Sequence, residues 1–202
     1  MSTDSTTEPD TAPGLKDLEH VLNPHTALPH TALSRLIDAA LDKLGALASW
    51  LWIVTVAVIM WSVIARYGFN TGSVMLEEIQ WHLAGAAWLI GLSYTLVHDD
   101  HVRVDIFHER FSDRTRIWVE FLGILFLLLP FLVVAFIELL PYAMSSFEQA
   151  ERSPAPNGLP ARWIMKSVLA LSVGLLAAAA LARLTRTSAK LFGWPKGRID
   201  PN

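Results

Sequence analysis

The groups able to do acid–base, ligand or redox chemistry here are seven histidines, 19 carboxylates and 16 basic residues, because the 202-residue chain has no cysteine. That lack excludes disulfides, thiolate nucleophiles, cysteine-ligated zinc and iron–sulfur clusters. A b-type haem needs two imidazoles at matched depth on facing helices. His82 follows Glu78 by one helical turn, yet His98, His101 and His108 all cluster beyond it and no second ligand falls at its depth. Residues 98–116 mix Asp, His and Arg without the spacing of metal ligands. Glu138, near the outer end of an apolar run, is the one carboxylate that suggests a proton relay; the plainer reading is a boundary carboxylate that reaches the interface. Glycine-rich phosphate loops and basic–aromatic nucleic-acid patterns do not occur. The residues therefore predict no enzyme, no cofactor, no metal and no nucleic-acid partner. What they offer is a charge cluster. A short loop brings Arg66 close to Glu77 and Glu78, where a helix dipole favours carboxylates and the guanidinium can pair with one of them. Such a cluster is either a helix start or part of an interface.

The elements that hold these groups are membrane helices. The chain is 52% hydrophobic and 17% charged, with mean hydropathy +0.38, whereas soluble domains carry nearer a quarter charged residues. Four spans are predicted, over residues 44–65, 79–97, 117–140 and 163–182, the first about 33 Å long as a helix. Ahead of them, Leu33, Leu36, Ile37, Ala40, Leu41 and Leu44 recur at helical spacing opposite Arg35, Asp38 and Asp42, which predicts an amphipathic interfacial helix over 31–43. The expected organisation is a disordered acidic tail (1–30), that helix (31–43), a four-helix membrane domain (44–185) and a basic tail (186–202). The first residues lack the basic and apolar stretches of a signal peptide, so the N-terminus is expected to be kept. With the N-terminus inside, twelve of the 16 basic residues fall on inner segments, which predicts both termini in the cytoplasm. Ala170, Gly174, Ala178 and Ala182, and likewise Ala84, Ala87 and Gly91, form small-residue stripes of the kind that let helices approach closely.

In this order and spacing the chain resembles the small, four-span DctQ-type permease subunit of tripartite ATP-independent periplasmic (TRAP) transporters, over about residues 33–185. The resemblance rests on Arg66 closing the first span, Glu77 and Glu78 before Trp81, Trp88 and Gly91 in the second span, the run from His101 through Arg103 to Asp105, and residues 158–163 leading into the last span. It implies an all-α integral membrane fold in a bacterial inner membrane. Its implied partners are a large multi-span permease subunit, which carries the substrate and sodium sites and moves as an elevator, and a soluble periplasmic substrate-binding protein. The small subunit is then a fixed scaffold, in which Arg66, Glu77, Glu78, Trp81 and Trp88 make outer and membrane-embedded subunit contacts. His101, Arg103 and Asp105 have an inner-face structural role.

Family substrates suggest a small organic acid or a zwitterionic compatible solute of the ectoine type. Two other classes stay open at this stage. A self-sufficient dimeric proton-coupled transporter would need Glu138, and a redox-complex anchor would need ligands the spans lack.

Overall fold

The computed structural model describes residues 28–98 and 111–196. His101, Arg103 and Asp105 lie outside them, as do most of the predicted acidic tail and the end of the basic one. Among the described residues the regular elements are helices: α1 (Ala32–Gly68), α2 (Val74–His98), α3 (Asp113–Gly123), a π-helical turn (Ile124–Leu128), α4 (Leu129–Glu148) and α5 (Trp163–Phe192). The π turn directly precedes Pro130, which has no N–H to give the helix ladder, so the extra residue per turn absorbs the misfit and the rod continues.

Among the described residues, three helices are long and apolar enough to cross a membrane by length and composition: Ala32–Gly68, Arg114–Glu148 and Trp163–Phe192. Helix α2 has 25 residues, but Glu77, Glu78, Gln80 and His82 lower its average hydropathy.

Helix α1 opens with a capping box. The Thr31 hydroxyl accepts the Ser34 N–H at 3.1 Å, and the Ser34 hydroxyl accepts the Thr31 N–H at 3.0 Å. From there it runs unbroken for 37 residues, about 55 Å. The segment expected as a separate helix over 31–43 is thus the first part of this rod, since no proline or glycine interrupts it before Gly45. On this part Leu36 is 71% exposed, whereas Leu41 is 2% exposed and Ser34 is fully buried. The buried residues of α1 include Ser34, Leu41, Ala48, Thr55 and Ser62, one every seventh residue. A seven-residue seam of small and polar side chains suits a helix that winds slightly around its neighbour. Thr55 is satisfied within its own helix by a 2.7 Å bond to the Leu51 carbonyl, which leaves its face flat.

Helix α1 packs on α2, and α5 touches α1, α2, α3 and α4, so α5 is the hub of the bundle. Its buried residues are mostly small, among them Ala170, Ser172, Ala179, Ala180 and Ala182. Ala180 joins Ile124 and Leu132 in the core, wrapped by Leu96, Leu129, Val173 and Leu176. Gly174 faces α4 so closely that a Cβ there would lie 3.1 Å from Cε2 of Phe136. The helix continues past the expected boundary at 185 and stops at Gly193, whose left-handed φ of 71° suits glycine. Gly174→Leu should therefore wedge α4 off the hub. A loss of about 1–3 kcal/mol is expected in detergent unfolding, and an unchanged melting temperature would contradict the close contact.

Candidate functional site

The two ends of the bundle are braced differently. At the end where α1 begins, carboxylates of two helices, α1 and α3, meet cations from their neighbours. Asp38 on α1 is paired with Arg186 on α5, and Glu120 on α3 with Arg183 on α5. Asp42 accepts a 2.8 Å contact from His98 Nε2 at the end of α2, and the Thr31 and Thr185 hydroxyls lie 3.1 Å apart. His30 Nδ1 is a further 3.8 Å neighbour of Asp38. Arg183 and Arg186 are both buried. The sequence reading counted them only as inner positive charges and set Asp38 and Asp42 on a polar face. Their signal was available: acids at one helix end and arginines at the matching end of another call for pairing when both must leave water.

At the opposite end, Arg66 in the last turn of α1 pairs with Glu77 in the first turn of α2, and both remain about half exposed. Glu78 turns the other way. Its Oε1 accepts from the Ser153 hydroxyl, and its Oε2 accepts the Leu159 N–H at 2.6 Å. It thereby caps the loop between α4 and α5. The loop is further closed by Ser153 N–H to the Leu159 carbonyl and Arg162 N–H to the Glu151 carbonyl, each 3.0 Å. These bonds hold Ala150 and Ala161 at φ of 45° and 61°, backbone that alanine rarely adopts. Glu151 is paired with Lys166 and accepts the Ser146 hydroxyl at 2.6 Å. The Lys166 ammonium and then the Ser146 hydroxyl hold the Glu151 carboxyl below its ordinary value of 4.5. His82 makes a 2.6 Å hydrogen bond from Nδ1 to the Glu78 carbonyl, which leaves Nε2 as the acceptor of the neutral ring.

Trp81 and Trp88, two turns apart on one face of α2, are 78% and 70% exposed. The Trp88 ring lies 6.4 Å from that of Trp52 on α1. Those two rings flank a groove of about 770 Å³, together with Ser49, Gly91, Tyr94 and His98. Trp81 lines a second cavity of about 550 Å³ with Tyr142, Arg162, Met165 and Lys166. Of the residues singled out from sequence, Arg66, Glu77 and Trp81 gather at one rim. Glu78 is engaged inside the chain, and Trp88 stands further along the same helix face.

A bundle with alanine, serine and threonine inside and its largest apolar side chains outside is built as an integral membrane protein is. Residues 55–190 match the family described as tripartite ATP-independent periplasmic transporters, DctQ component. The chain belongs to that family and is a component of a TRAP transporter. No curated protein matches the chain.

Two outcomes are expected from these ends. Arg186→Ala leaves Asp38 half-buried without its cation and should cost about 3–5 kcal/mol in detergent unfolding, whereas Arg186→Leu combined with Asp38→Leu should recover most of that. Equal losses from the two variants would contradict a buried pair. At the other end, a carboxylate with a depressed folded value stabilises fully above its ordinary value and ceases to as pH falls through the folded value. Protease cleavage in the loop at 149–162 should therefore rise below about pH 4.5 in the native chain. Glu151→Gln should raise cleavage already at neutral pH and leave only the acid response of Glu78, which caps the same loop; cleavage as slow as native at neutral pH in that variant would exclude Glu151 as a brace.

Proposed function

We propose that this chain is the static scaffold subunit of a sodium-gradient-driven importer in a bacterial inner membrane. In this reading it enlarges the fixed wall beside a large elevator-type permease subunit and helps dock the periplasmic substrate-binding protein. The observation that carries it is the Trp81–Trp88 face of α2. Two large aromatics project from a helix whose other faces are taken by α1 and α5, next to the exposed Arg66–Glu77 pair. Exposed tryptophans that find partners are typical anchors of protein interfaces.

The reading takes α2 as a fourth span, its length of about 37 Å being sufficient, and sets both termini on the cytoplasmic side, in line with the distribution of basic residues. Arg66, Glu77 and the two tryptophans are assigned to contacts at the outer rim and within the membrane. Glu78 serves the same rim by holding the loop from 149 to 162 in place. His101, Arg103 and Asp105 are assigned to the inner face. Substrate selection belongs to the partners, and a small organic acid or a zwitterionic compatible solute is the substrate class that fits the family.

The test separates folding from assembly. Trp88→Ala removes an exposed ring, so the isolated chain should melt as the native one does. Recovery of the large subunit on the tagged chain should fall by roughly 30-fold, the affinity lost with a hot spot of about 2 kcal/mol. Sodium-dependent uptake should fall with it. Full recovery and full uptake from Trp81→Ala and Trp88→Ala would contradict the reading.

A further inference from the structure

Glu138 is exposed on α4, and it continues the stripe of Leu127, Phe131 and Val134, of which Phe131 is 68% exposed. The other side of α4 faces the chain: Leu132 is in the core and Phe136 lies on Gly174. Two polar layers bracket its depth. Glu120, paired with Arg183, marks one end of the rod, and Tyr142, with the Lys166 ammonium 3.9 Å from its ring centre, marks the other. About 33 Å of helix rise separates them, close to the hydrocarbon thickness of a bilayer. Glu138 lies four residues, about 6 Å, on the hydrocarbon side of Tyr142, where a carboxylate facing lipid alone is costly. Pro141 adds to this. It has no N–H, so the carbonyl of Ile137 loses its usual helical donor beside the Glu138 carboxylate. Two acceptors thus sit together on an otherwise apolar exposed stripe.

We propose that this stripe of α4 docks a helix of the large permease subunit that carries an arginine or lysine opposite Glu138. The proposal rests on the scaffold reading and gives it a face and a chemistry. Charge selects the occupant. A second copy packed about a two-fold axis would set Glu138 near its own counterpart, and acyl chains offer no donor. The surface is also continuous with the rim already assigned, because Tyr142, one turn above Glu138, lines the same cavity as Trp81.

The experiment uses full-length chain and large subunit expressed together. Because the chain has no cysteine, Val134→Cys can carry a single benzophenone maleimide in intact membranes. Irradiation is expected to yield an adduct with the large subunit. An adduct confined to lipid or to a second copy of the chain would overturn the proposal. In parallel, Glu138→Leu should lower recovery of the large subunit by about tenfold while the chain itself melts unchanged. For a carboxylate that merely faces lipid, leucine would leave recovery equal or raise it, and that result sinks the proposal. If native chain recovers the large subunit and Glu138→Leu recovers it equally, this inference alone falls. If native chain recovers none, the scaffold reading falls with it.

Discussion

Inside a bilayer, lipid tails solvate leucine as well as a protein interior does, so burying large apolar groups no longer drives helices together. What remains is close packing and the need to satisfy every polar group. This chain is built on that constraint. Its helix seams are made of Ser34, Ala48, Thr55 and Ser62 on α1, Ala87 and Ser93 on α2, and a row of alanines on α5. Small side chains bring backbones close, and hydroxyls such as Ser93 turn back to their own helix carbonyl, here Ile90 at 2.7 Å. The large residues are left on the outside, as the exposed Trp50, Phe126, Leu127 and Phe131 illustrate.

The same constraint explains the ends. Where the rods leave hydrocarbon, charged residues pair between helices at one end and tie down a loop at the other. Arg183 and Arg186 give α5 two fixed points on α3 and α1. Glu78 and Glu151 fix the loop from α4 to α5 through bonds to side chains and backbone far apart in sequence. The bundle is thus held at both ends, with a hub helix of alanines between. Trp81 and Trp88 are not used in that bracing and remain available.

Much of this was legible in the sequence where the signal is local. The first, third and fourth predicted spans are long, mostly apolar runs and fall within the helices Ala32–Gly68, Arg114–Glu148 and Trp163–Phe192, and the second, over 79–97, falls within α2. The Arg66–Glu77 pair followed from a short loop. Family membership followed from motifs in order. The inward packing of Ser34, Asp38 and Leu41 did not, because apolar periodicity marks a greasy face without telling which residues another helix covers. Glu78 was indistinguishable from Glu77 in sequence, since its partners Ser153 and Leu159 come from a distant loop. Arg183 and Arg186 read only as inner positive charges because positive-inside counting ignores what carboxylates stand at the same depth.

The central claim is that this 22.4 kDa chain works as one fixed wall of a larger permease. Native mass spectrometry of the complex, released from its own membranes in mild detergent, measures this directly. The account predicts one copy of the chain bound to one large multi-span subunit. A chain that emerged alone, or as a pair of identical copies, would contradict it.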